Sequence, residues 1–133
     1  MDTADARFGG IARLYGKDGL AKLRAAHVAV IGVGGVGSWS AEALARSGIG
    51  KLTLVDLDEV CITNTNRQIH ALEGSINKAK VNELALRIHR INPDCTVYAR
   101  TEFFTSQTAN SILSGGFDYL IDAIDGLTNK CLL

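Results

Sequence analysis

The sequence predicts an α/β protein built on a doubly wound, mainly parallel sheet, and three observations carry that expectation. An apolar run, Val28-Ala29-Val30-Ile31, leads into the glycine-rich stretch Gly32-Val33-Gly34-Gly35-Val36-Gly37 and then into a helix-forming segment. Further short apolar runs alternate with amphipathic segments, the pattern of parallel strands joined by helical crossovers. Carboxylates stand at the ends of several runs, where a doubly wound sheet places its ligand.

Each element has its own local justification. Residues 1–26 scatter Ile11, Leu14, Leu20 and Leu23 among Arg7, Arg13, Lys17, Lys22 and Arg24, which predicts one or two short helices before the first strand. After the glycine turn, Val36 to Ser47 carries alanines at 41, 43 and 45, a Glu42/Arg46 pair one turn apart and Gly48 as its C-cap, so it reads as a helix close to the sheet, with Trp39 expected to pack. Leu52 to Val55 is a second strand, nearly all apolar as in a sheet covered on both faces. From Lys78 to Ile91, Val81, Leu84, Ile88 and Ile91 recur with helical period, Glu83 stands one turn before Arg87, and Asn92-Pro93 ends the helix. Cys95 to Ala99 is a third strand. Thr105 is the expected cap of a short helix to Leu113, closed by Gly115-Gly116 before a fourth strand, Tyr119 to Ile121. A doubly wound sheet ordinarily continues beyond this, whereas the chain stops at Lys130-Cys131-Leu132-Leu133, in what reads as the start of another helix. The expectation is one incomplete Rossmann-like domain of about four strands, the N-terminal part of a longer protein or a truncated copy of one. Residues 1–26 would be its helical lead and 27–133 its nucleotide-binding βαβ units.

Composition bounds the function. With 133 residues, 47% hydrophobic content and a single proline, one folded domain is expected. Fourteen basic residues balance fourteen acidic ones, so no global field draws the chain to nucleic acid or to an anionic membrane. No stretch approaches the ~20 apolar residues of a membrane span, and Met1 to Asp5 lacks a secretory signal, which points to a cytoplasmic protein. Cys61, Cys95 and Cys131 form no C-x-x-C pair, so each is expected as a small buried hydrophobe.

The candidate site follows from the strand ends. Gly32, Gly34, Gly35 and Gly37 lie between a strand and a helix, where backbone N–H groups and a helix N-terminus meet a phosphate. Asp56 and Asp58 follow the second strand. Asp56 stands where a nucleotide domain binds a ribose hydroxyl, although a turn-capping role is open. If the strand order is 3-2-1-4, the ends of strands one and four flank the crevice, which sets Asp125 opposite the glycine turn, placed to hold Mg²⁺. Asp122, at the strand end itself, could serve the backbone instead. The segment Asp58 to His70 is dense in hydrogen-bonding groups and contains Arg67. With Lys80 at the next helix, Arg67 supplies cationic phosphate ligands. A dinucleotide already finds its pyrophosphate partners in backbone N–H groups, so this set favours a nucleoside triphosphate such as ATP. An NAD-dependent dehydrogenase and a nonenzymatic nucleotide-binding fragment stay open on these residues alone.

In order, Gly32-x-Gly34-Gly35-x-Gly37, Asp56-x-Asp58, Asn64-x-Asn66-Arg67-Gln68, Lys80, Arg90-Ile91-Asn92-Pro93 and Asp122-x-x-Asp125 span nearly the whole chain. The set resembles the ubiquitin-activating (E1-like) adenylating family, which includes the sulfur-carrier activators of the molybdopterin and thiamine pathways. Arg7-Phe8-Gly9-Gly10-Ile11-Ala12-Arg13-Leu14-Tyr15-Gly16, Gly37-Ser38-Trp39, Asn66-Arg67-Gln68-Ile69-His70-Ala71 and Asp122-Ala123-Ile124-Asp125 make it most similar to the bacterial branch that dehydrates threonylcarbamoyladenosine on tRNA. The resemblance implies that ATP and Mg²⁺ activate a carboxylate as an acyl-adenylate, with tRNA carrying threonylcarbamoyladenosine, or else a sulfur-carrier or ubiquitin-like protein, as acceptor. It also implies a homodimer when full length and a sulfur-transfer protein as a further partner. Carried over, Asp56 holds the ribose, Asn64, Arg67 and Lys80 the phosphates, and Asp125 the metal. Sulfur-carrier activators place an N-terminal arginine in the partner subunit's site. Gly10 stands at that aligned position, and Arg13 is the candidate for the role. The family's later strands, most of its dimer interface and its acceptor region have no counterpart here, so the chain alone is expected to bind ATP weakly and turn over little.

Overall fold

A computed structural model describes residues 6–125. Their order is α1 (Gly9–Ala25), β1 (His27–Ile31), α2 (Gly37–Arg46), β2 (Lys51–Val55), a 3₁₀ turn (Ile62–Asn66), α3 (Lys80–Ile91), β3 (Thr96–Arg100), α4 (Ala109–Leu113) and β4 (Tyr119–Asp122). The strands form one parallel sheet in the order β3-β2-β1-β4, so the condition for setting Asp125 opposite the glycine turn is met. In register, Ile31 lies between Val55 and Asp122, so three strands end level beside the glycine turn.

Burial on both faces explains why β1 and β2 are apolar almost throughout. Val28, Val30, Leu52 and Leu54 meet Ala41 and Ala45 of α2 and Val81, Leu84 and Ile88 of α3. Ala29, Ile31 and Val55 face the other way, against Phe104, Ala109 and Ile112. The β3 edge is mostly exposed, as its mixed sequence allows.

Local expectations hold with some corrections. The N-terminal helix is broken at Gly16 (φ 80°, ψ 166°), giving two helical pieces. Gly48 takes a positive φ just past α2, the conformation of a helix-ending glycine. The cap of α4 is Thr108 rather than Thr105, whose N–H instead donates to the Thr108 hydroxyl in the turn before the helix. Arg87, expected on Glu83 within its own helix, reaches across to Glu42 of α2 and ties the two helices together. Trp39 is not core: it is 53% exposed, and its indole N–H donates to the Arg67 carbonyl at 2.8 Å. Of the cysteines, Cys95 is buried as expected, with its thiol pushed up to about 11 by desolvation. Cys61 is exposed, because it stands at the N-cap of the 3₁₀ turn rather than on an apolar face. Cys131 lies outside the described residues.

Close packing at the end of β1 demands two of the glycines. A Cβ on Gly37 would lie 1.7 Å from the Gly32 carbonyl oxygen, and one on Gly32, where φ is +90°, would lie 2.8 Å from the Ala123 carbonyl. On Gly34 or Gly35 it would make only ordinary contacts, at 3.6 Å from Gln68 and Arg67 respectively. Thermal denaturation should separate the two kinds: Gly37→Ala is expected to cost roughly 3 kcal/mol or more, or to prevent folding, and Gly34→Ala about 1 kcal/mol or less.

Candidate functional site

The glycine turn is gripped from its buried side. Val33 is wholly buried, its N–H donates to Asp56 Oδ2 at 3.0 Å, and its carbonyl is 2.7 Å from Nε2 of the buried His70. The Gly34 carbonyl accepts from both the N–H and the hydroxyl of Ser38, at the first turn of α2. Because a trans peptide sets C=O and the following N–H in opposite directions, these bonds turn the Gly34 and Gly35 amides away from the core. Neither amide donates to a protein acceptor among the described residues.

Those amides face a cleft of about 730 Å³ at the carboxyl ends of the strands. Gly32, Gly34, Gly35, Asp56, Asp58, Asn64, Arg67, Lys80 and Asp125 all line it, so most of the residues singled out by sequence come together. Asp56 is already partly used. Besides Val33, it accepts the Asp58 N–H at 2.9 Å, so the turn-capping role is real, whatever else its carboxylate binds. Asn64 is buried and caps the 3₁₀ turn by accepting from the Cys61 N–H. That turn presents Arg67, whose guanidinium donates to the Thr63 carbonyl and the Asn66 amide oxygen. Both oxygens are neutral, and Arg67 makes no ion pair among the described residues. Lys80 starts α3 with its side chain 8% exposed and its ammonium 4.0 Å from Asp58 Oδ2. An uncompensated guanidinium, a nearly buried ammonium and two outward amides make a site for a multiply charged anion.

Three predicted residues stand outside the cleft wall. Gly37 is spent on the contact with Gly32, and Asp122 ends β4 by accepting the Ile124 N–H at 3.3 Å. Arg13 is exposed on α1, away from the cleft of its own chain. Among the described residues no cluster of three or more His, Cys, Asp or Glu side chains could cage a metal. A single carboxylate such as Asp125 still suits Mg²⁺, which keeps several waters and takes phosphate oxygens besides.

Sequence reasoning missed the wall supplied by the segment after β3, namely Glu102, Phe103, Phe104 and Thr105, and it gave no role in the cleft to Gln68 and Ile124, which also line it. The available signal was positional. β3 is also a parallel strand, so the segment leaving its carboxyl end must face the same crevice. Arg100 holds this segment by donating to Glu102 at 3.3 Å and to the Ser111 hydroxyl at 3.1 Å.

Desolvation lowers the pKa of both His70 and His27, with the positive charge of Lys51 a further cause at His27. The unfolded chain therefore binds more protons than the folded one as pH falls below the ordinary histidine value of about 6.5. Stability should be highest above that pH and decline toward the depressed native values. Melting temperatures taken from pH 7.5 down to 5.0 in constant salt are expected to fall, with a shallower fall for His70→Gln.

Known proteins share this arrangement of sequence and fold. A family model described as the ThiF family matches residues 9–133. The tRNA threonylcarbamoyladenosine dehydratase of Haemophilus influenzae is 52% identical over 133 residues, covering 100% of this chain and 51% of that protein. Its Escherichia coli counterpart is 53% identical over 127 residues, covering 96% of this chain and 47% of that protein. A crystal structure of the E. coli enzyme in complex with ATP superposes with a TM-score of 0.97 at 51% identity, covering all of this chain and 55% of that one. The chain thus spans about half the length of the relatives it matches.

Proposed function

The chain belongs to the ThiF family, and from that premise we propose that its cleft binds ATP with Mg²⁺. In the whole protein, on this reading, the nucleotide activates the carboxylate of a threonylcarbamoyl group on a tRNA adenosine, leading to its dehydration. The observation that carries the reading is the meeting of the Gly34 and Gly35 amides with Arg67 and Lys80 in one cleft. A triphosphate matches that set in charge and in the number of oxygens it offers. The likeness to the ATP-bound E. coli dehydratase supports the same ligand.

On this reading Asp56 bonds the ribose with its remaining lone pairs, Asn64, Arg67 and Lys80 hold the phosphates, and Asp58 steadies Lys80. Asp125 holds Mg²⁺, which supplies charge neutralisation on the phosphate oxygens when bound. Ile31, Val55, Phe104 and Ile124 offer the base an apolar wall.

The substrate carboxylate attacks the α-phosphorus, the α–β anhydride bond breaks, and pyrophosphate leaves with the bonding electron pair. Arg67 and Lys80 stand ready for the charge that gathers on that leaving group, so no reorganisation is needed as it forms. An atom of the same threonylcarbamoyl group then displaces AMP and closes the ring, for a net loss of water. The reading extends to a cytoplasmic homodimer with Arg13 reaching the partner subunit's site, and to a sulfur-transfer protein as a further partner. Among the described residues no helix is long and apolar enough to cross a membrane.

Calorimetry with ATP·Mg²⁺ and with NAD tests the nucleotide, and ATP–pyrophosphate exchange in the full-length protein tests the adenylation. Binding of ATP and not NAD is expected. Arg67→Ala should weaken ATP at least ten-fold, roughly the loss of one charge-assisted hydrogen bond, and abolish exchange without lowering the melting temperature. Undiminished exchange in that variant would contradict the assignment of the phosphates.

A further inference from the structure

We propose that His70 is a positioning residue for the phosphate-binding turn. Its Nε2–H, donated to the Val33 carbonyl, sets the direction in which the Gly34 amide points. The inference deepens the nucleotide reading above and rests on it for the identity of the ligand.

The geometry has three parts. Val33 O and Gly34 N–H belong to one rigid peptide plane, so whatever fixes the carbonyl fixes the amide on its far side. The 2.7 Å contact with His70 lies wholly within the buried side of the turn, while Gly34 lines the cleft. Val33 is also held by its N–H on Asp56 and by its side chain in the core. Those holds act on Val33 outside the Val33–Gly34 plane, and the His70 bond acts on the plane itself.

The choice of residue type points the same way. His70 is 2% exposed, and its Nδ1 has no hydrogen-bond partner. An apolar side chain would fill the space without stranding a nitrogen, so the imidazole is there for the proton on its other one. A carbonyl partner requires that proton on Nε2, and desolvation lowers the ring's pKa, which favours the neutral form with its proton there. His70 also ends the segment that carries Asn64 and Arg67. Alongside the Trp39 N–H on the Arg67 carbonyl, this hydrogen bond ties the amide half of the cleft to the cationic half.

Two variants test the proposal. His70→Leu fills the volume without a donor, and His70→Gln puts an amide N–H where Nε2 stood. Amide hydrogen exchange at Gly34 and Gly35 is measured without nucleotide, and calorimetry compares ATP·Mg²⁺ with adenosine. In His70→Leu, exchange at Gly34 should quicken and ATP affinity fall about ten-fold with adenosine affinity unchanged, and His70→Gln should restore both to within about two-fold. Equal losses for ATP and adenosine would mean that His70 merely supports the fold, and unaltered exchange in His70→Leu would overturn the proposal outright. If the wild type binds adenosine but not ATP, the nucleotide reading fails by itself, and the exchange rates still decide whether His70 holds the turn.

Discussion

The contact between Gly37 and the Gly32 carbonyl is what the rest of the structure is fitted around. It brings the first turn of α2 against the end of β1 so closely that no side chain fits between them. That approach puts Ser38 beside the Gly34 carbonyl and seats Ala41 and Ala45 on the sheet. With the helix seated there, the core on that face closes over Val81, Leu84 and Ile88 of α3, and α3 in turn delivers Lys80 to the cleft. The packing that stabilises the domain and the positioning of its charges are therefore one arrangement.

Within the glycine-rich turn, structural and functional demands fall on different residues. Gly32 and Gly37 are required by their neighbours, whereas Gly34 and Gly35 have room for a methyl group on the protein side and border the cleft on the other. On the proposed nucleotide reading, close approach of the ligand to the backbone is what their lack of a Cβ allows. The electrostatics agree with that division. The carboxylate of Asp56 accepts the Val33 and Asp58 N–H groups and so holds the turn in shape, and among the described residues it makes no ion pair with Arg67.

Much of this was legible in the sequence, for physical reasons that differ from element to element. β1 and β2 are covered on both faces and so read as unbroken apolar runs, and the strand order supposed for a doubly wound sheet is the one the structure has. Arg67 and Lys80 stood out because a forked guanidinium and a compact ammonium beside a glycine turn are the donors that phosphate oxygens take. Tertiary partners were not legible. Arg87 satisfies the local spacing with Glu83 yet bonds Glu42, and Trp39 has the composition of a core residue yet bonds an exposed carbonyl. The wall from Glu102 to Thr105 has no periodicity or charge pattern to mark it. His70 lay in plain view in the polar run, but its role depends on a carbonyl 37 positions earlier that only folding brings near.

The central claim is that the outward amides of the glycine turn, with Arg67 and Lys80, form a triphosphate site. Its most direct test is a titration of the isotopically labelled chain with ATP·Mg²⁺, followed through its amide resonances. The Gly34 and Gly35 amides should shift most, downfield as they take charged acceptors, and the same titration with adenosine should leave them nearly unmoved. Shifts confined to other parts of the chain, or equal shifts at both glycines with adenosine, would contradict it.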